Sequence, residues 1–244
     1  GTTVKMGTLD VDGGSITHSG AIMRVGATAG DDGTLLVQNG GVVTSDEGVV
    51  GNDTGSMGTA TVTGTDSEWN NFFLTVGDEG TGALNVEAGG VVVASAGIIL
   101  GNGPGSNGTA TVTGIDSQLN TLGVGALLVG VDGTGELNVE AGGSVSSDEI
   151  IMGLDSSSMS TVTVTGADSR LENRSNTFVV GLQGTGVLNV ADGGEVIVNG
   201  GAGTVDLTSF GGSVGTLING GTAGNPAPAA WIVTAPTVLE DGGG

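Results

Sequence analysis

The sequence predicts an all-β chain wound as a right-handed parallel β-helix of about eight coils, with roughly 25 residues and three short strands to a coil. Three observations carry that reading. Two motifs alternate along most of the chain, apolar residues recur in three columns at the period of a half-repeat, and no stretch has a helical stripe.

The repeat comes first. GTATVTGTDSEWN from Gly58 returns as GTATVTGIDSQLN from Gly108 and as STVTVTGADSRLE from Ser160. Between these copies, GTGALNVEAGG from Gly80 returns from Gly133 and, as GTGVLNVADGG, from Gly184. Alternation of the two makes a unit of about 50 residues built from two half-units of about 25.

The columns follow. Val11, Val37, Val62, Val86, Val112, Val139, Val164 and Val190 form the first. Ile16, Val43, Trp69, Val92, Leu119, Val145, Leu171 and Val196 form the second. Val25, Val50, Val76, Leu100, Val129, Met152 and Val180, each followed by Gly, form the third. In Leu84-Asn85-Val86 and its copies the apolar residues flank a polar one, the period of a strand. Gly and turn formers interrupt every window that a helix would need. Parallel strands stacked at about 4.8 Å per coil give a rod of roughly 38 Å, with Trp69 and Phe178 as bulky fillings.

Between strands the corners are glycine pairs, at positions 13, 40, 89, 142 and 193, which turn the backbone through positive φ. The corner between coils is expected to absorb length variation. Residues 1–201 therefore read as regular coils. Residues 202–244 read as irregular terminal coils and a Pro-containing exit segment or linker, since the register fails after Val198 and all but one of the prolines fall there.

Composition narrows the function. A net charge of -22 with four basic residues, Lys5, Arg24, Arg170 and Arg174, would repel a phosphate backbone, so nucleic acid and anionic membranes are excluded as expected partners. No apolar run approaches the roughly 20 residues of a spanning helix, so direct membrane insertion of this segment is not expected. GTTVKMGTLD has neither an initiator Met nor a signal segment, which reads as a mature or excised fragment. The lack of Cys is compatible with secretion.

The run VTGxDSx(W/L) followed by VGxxGxGxLNVxxGGxV lies at Val62 to Val91, Val112 to Val145 and Val164 to Val196. It resembles the passenger-domain repeats of Gram-negative autotransporter adhesins, over roughly Gly7 to Gly201. The resemblance implies a β-helix exposed on the bacterial cell surface or released from it, acting in adhesion. Its implied partners are a host-surface or matrix protein, a glycan, or the chain itself.

Candidate chemistry is sparse. His18 is the sole histidine, no GxSxG elbow accompanies it, and it reads as an outward-facing polar residue. Asp46-Glu47 and Asp148-Glu149 sit at equivalent corners four coils apart, about 19 Å, too far to act as a hydrolytic pair. No catalytic residue and no cofactor is therefore expected. A carbohydrate-active β-helix enzyme is the first alternative. Acidic corners at Asp31-Asp32, Asn52-Asp53, Asp78-Glu79 and Asp132 could hold calcium weakly, and a calcium-dependent self-assembling surface or matrix protein is the second.

Two outward faces remain. Thr61, Asn85, Thr111, Asn138, Thr163 and Asn189 form a polar ladder on one wall, with Glu87 and Glu140 beside it. Alternation beside the third column places Val49, Ile99, Leu128, Ile151 and Val179 outside as an apolar stripe, the expected interaction face.

Overall fold

The computed structural model describes residues 1–201, 203–207, 213–220 and 231–232. It is an all-β parallel solenoid of about eight turns, about 26 residues to a turn. Coils are numbered one to eight by the first column, Val11 to Val190.

One wall is a nine-stranded parallel sheet, from Met6–Asp12 in coil one through Thr81–Glu87 in coil four to Val214–Gly220. Its register pairs Val62 with Val86, Val86 with Val112 and Val112 with Val139, so the first column is a true inward row. The second and third columns are likewise in register and buried, except that Ile16 of coil one is half-buried.

The count of three strands per coil holds only in the later coils. In coils one to four the second and third columns lie on one long strand: Ser15–Val25, Val42–Val50, Glu68–Val76 and Val91–Leu100. From coil five the strand divides, as Gln118–Thr121 and Ala126–Val129. Length at the bend does not by itself set the division, since coil six divides at Asp148 with the same one-residue bend that leaves coils two and three continuous. Coil three bends through a one-residue irregularity between Asn71 and Phe73, whereas coil five inserts Leu122-Gly123-Val124. Length variation is thus absorbed inside the coil as well as between coils.

The core has two apolar rows beyond the three columns. Seven of the nine strands of the first wall bury a second residue: Leu35, Ala60, Leu84, Ala110, Leu137, Val162 and Leu188. Large and small side chains alternate there with the 50-residue unit, so neighbouring coils interlock instead of stacking like on like. Met23, Leu74, Ile98, Leu127, Ile150 and Phe178 form the other row. Gly48 stands in that row beneath Trp69, where a Cβ would lie 2.7 Å from the ring at Cζ2.

A polar row runs through the bend. Ser45, Asn71, Thr121, Ser147 and Asn173 point inward and are buried. Ser45 Oγ donates to Asn71 Oδ1 at 2.7 Å, and the Thr121 hydroxyl donates to Gly125 O at 2.8 Å. The first bond links side chains of neighbouring coils, and the second satisfies a backbone carbonyl that the bend takes out of the ladder. His18 heads this row, paired with Ser45 in register, half-buried, and hydrogen-bonded through Nε2 to Thr2 Oγ1. It does not face outward as the sequence reading had it, because the strand Ser15–Val25 continues without a turn and keeps His18 on the inward phase.

The two half-repeats differ for a physical reason at the corner between the first and second columns. In the Glu-Ala-Gly-Gly coils the corner runs through Ala88 and Gly89, with φ of 52° and 88°. Its amide at Gly89 donates to Ser117 Oγ of the next coil at 3.0 Å, and Ser117 Oγ donates to Thr113 O at 2.8 Å. Ser67 serves Gly40 and Ser169 serves Gly142 in the same way. A Gly-Gly corner and an Asp-Ser corner therefore form a bonded pair, and the pair is the 50-residue unit. Ser117→Ala is expected to lower unfolding free energy by about 1–3 kcal/mol, since it leaves the buried Gly89 amide unpaired. Urea denaturation reads this directly, and a midpoint unchanged within error would contradict the pairing.

Much of 202–244 lies outside the described residues. The described pieces continue the stack: Thr204–Asp206 pairs with Thr177–Val180, Val214–Gly220 with Thr185–Ala191, and Trp231–Ile232 with Glu195–Val198.

Candidate interaction face

The outward phase of the third column forms one register row: Arg24, Val49, Thr75, Ile99, Leu128, Ile151, Val179 and Asp206. Ile99, Leu128, Ile151 and Val179 are half-buried on it. Val49, expected outside, is only 3% exposed. Register sets Arg24 on one side of it and Thr75 on the other, and Arg24 Nε donates to Asn52 Oδ1 at 3.3 Å. Thr75 interrupts the row next. The stripe is therefore continuous from coil four to coil seven.

Exposed apolar groups also lie beside that row, at the bend, and the columns do not reveal them. Phe72 is 63% exposed, Leu122 50% and Val124 95%. Phe72 is the bend residue of coil three, level with Asp46 of coil two, and it faces outward between inward Asn71 and inward Leu74. Leu122 and Val124 belong to the insertion of coil five, two coils on, about 10 Å along the rod. A signal was present for the insertion of coil five and not for Phe72, whose coil spans 7 positions from Trp69 to Val76. Val145 to Met152 spans 7 positions, whereas Leu119 to Val129 spans 10. Ala96 of coil four lies between them and is half-buried.

The acidic pairs frame this surface. Glu47, Phe73, Gly97, Ala126 and Glu149 form a single register row, coils two to six. The separation of about 19 Å follows from four coil steps. Asp148 is bonded to Arg174 Nε at 2.7 Å, and Arg174 also donates to Ser146 Oγ and to Thr121 O, a clamp across three coils. Asp46, Glu47 and Glu149 form no ion pair with a described residue.

The opposite wall is polar. Asn85 Nδ2 donates to Thr61 Oγ1, and Asn189 Nδ2 to Thr163 Oγ1, both at 3.4 Å, while Asn138 Nδ2 turns to Glu136. Three of the corners considered for calcium use a carboxylate oxygen in internal hydrogen bonds. Asp31 Oδ2 accepts from the amides of Thr28 and Ala27 and from the Thr28 hydroxyl. The Thr28 amide, above all, holds the Asp31 carboxyl below its ordinary value of 3.8. Its contribution to the corner is therefore present above that value and is lost as pH falls through the lowered one. Asp78 Oδ1 accepts from Asn102 at 2.7 Å, and Asp132 from Ser157. Among the described residues no group of three His, Asp or Glu side chains gathers as a metal set. No described helix is long and apolar enough to cross a membrane.

No family model matches the chain, and no solved structure matches it. Among curated proteins it is similar to the uncharacterized lipoprotein YdeK of Escherichia coli (strain K12), 40% identical over 116 residues. That stretch is 48% of this chain and 8% of the lipoprotein, so the chain spans a small part of the length of the protein it matches.

Proposed function

We propose that this chain is a β-helical stretch of a large, non-catalytic protein of the bacterial cell surface, a stalk whose walls bind in adhesion. The observation that carries the reading is the unbroken parallel solenoid of about eight turns, joined to its likeness to part of a lipoprotein. A lipoprotein is held at a membrane by its lipid, and a rod of stacked coils carries sites away from that anchor. The resemblance to autotransporter passenger repeats points the same way. Binding needs only side chains on the walls of the rod. The partner classes that suit it are a host-surface or matrix protein, a glycan, or a second copy. The half-buried His18 has Thr2 as its hydrogen-bond partner, and the free acids stand four coils apart, an arrangement suited to binding and not to acid–base work.

Cells displaying the whole parent protein, and cells lacking it, are to be compared for attachment to panels of matrix proteins and glycans. Loss of attachment to at least one surface on deletion is the expected result. Equal attachment on every surface, with display of the protein verified, would leave a spacer and contradict adhesion.

A further inference from the structure

We infer that the bend of coils two to six is a docking surface for a polypeptide segment that is apolar in its middle and basic at both ends. Phe72, Leu122 and Val124 project from it, and Phe73, Ala96 and Ile99 lie behind them. No charged residue stands at this bend in coils three to five: its positions are Phe72-Phe73, Ser95-Ala96-Gly97 and Leu122 to Ala126. Charge returns at both borders with one sign. Asp46 and Glu47 close the surface in coil two, and Glu149 closes it in coil six, where Asp148 is already neutralised by Arg174.

That pattern selects the occupant. A second copy brings another surface of a chain with net charge -22, so its approach is opposed, and an anionic bilayer is repelled in the same way. A cationic flank is attracted at each border, and apolar side chains between the flanks would cover the exposed rings. The borders lie about 19 Å apart, which an extended segment of about six residues spans. The surface extends the adhesive reading to a partner class, yet it is tested on the isolated chain, so its failure leaves cell-surface display untouched.

The probe is a fluorescein-labelled peptide, Lys-Lys-Leu-Thr-Phe-Thr-Val-Thr-Lys-Lys, followed by fluorescence anisotropy on the purified full chain. Two controls keep its length: one with Ser at each apolar position, the other with Glu for each Lys. The expected result is saturable binding that weakens by about tenfold or more with either control. The same loss is expected with the variant Phe72→Ser/Val124→Ser and, separately, with Asp46→Asn/Glu47→Gln/Glu149→Gln. All five residues carry side chains on the surface, and an unchanged thermal melt shows that each variant folds. Glu87→Gln/Glu140→Gln, on the polar wall, is expected to bind as the parent does. Equal binding of the Ser control, or a loss with the polar-wall variant equal to that at the bend, would reduce the effect to general charge and overturn the proposal. Absence of binding, preferential binding of anionic vesicles, or concentration-dependent dimerisation abolished by Phe72→Ser/Val124→Ser would overturn it as well.

Discussion

Gly101→Ala is expected to cost about 4 kcal/mol or more and to break the stack between coils four and five. Gly101 follows the third column with φ of 71°, in the left-handed region where a Cβ costs about 1–2 kcal/mol. Strain is the smaller part. A Cβ there would overlap the backbone carbonyl of Thr134 in the coil ahead, and the amide already donates to Val76 O of the coil behind at 2.9 Å. Coils about 4.8 Å apart cannot yield to a methyl group on one corner without losing hydrogen bonds along the strand. Gly105 separates the two terms, since its φ is 76° but no atom lies within 4 Å of the added Cβ. Gly105→Ala is therefore expected to cost about 1–2 kcal/mol only. Equal losses for the two variants in urea denaturation would contradict the close approach of the coils.

Trp69→Ala is expected to cost about 3–5 kcal/mol, the range for emptying an aromatic site in a core. Among the described residues Trp69 is the largest fully buried side chain, placed by register between Val43 and Val92, and its indole donates to Ser45 Oγ at 3.4 Å. Removing it leaves a cavity and takes one partner from a buried hydroxyl. Glu68–Val76 also carries the bend that presents Phe72, so the same variant is expected to weaken peptide binding. Trp69→Phe keeps most of the volume and is expected to lose roughly half as much. A loss below about 1 kcal/mol for Trp69→Ala would mean that the ring does not fill the core.

Burial of the three columns was legible because each sits at one period and keeps an apolar type. Two further rows were hidden by alternation in size, as at Ala60 and Leu84, which looks irregular until the coil-to-coil register is known. Serine caps were present in the repeat as Asp-Ser, but their role depends on which corner lies next to Ser117, an inter-coil fact. Val49 shows the same limit. Local alternation sent it outward, and Arg24, 25 positions earlier, stands beside it in register. At the bend the period-two rule loses phase, because Trp69 and Val76 both point inward at an odd spacing of 7 positions, and Phe72 is the outward residue at that break.

The chain has no Cys, so a thiol placed in it and read against the unsubstituted parent protein reports both the fold and its place on the cell. Val124→Cys and Val112→Cys, each in the whole parent protein on intact cells, are to be treated with a membrane-impermeant maleimide. Val124 is almost fully exposed and Val112 fully buried in the first column. The expected result is that the Val124→Cys protein labels on intact cells and the Val112→Cys protein labels only after denaturation. Labelling of Val124→Cys only after lysis would contradict a surface location, and labelling of Val112→Cys on intact cells would contradict the solenoid core.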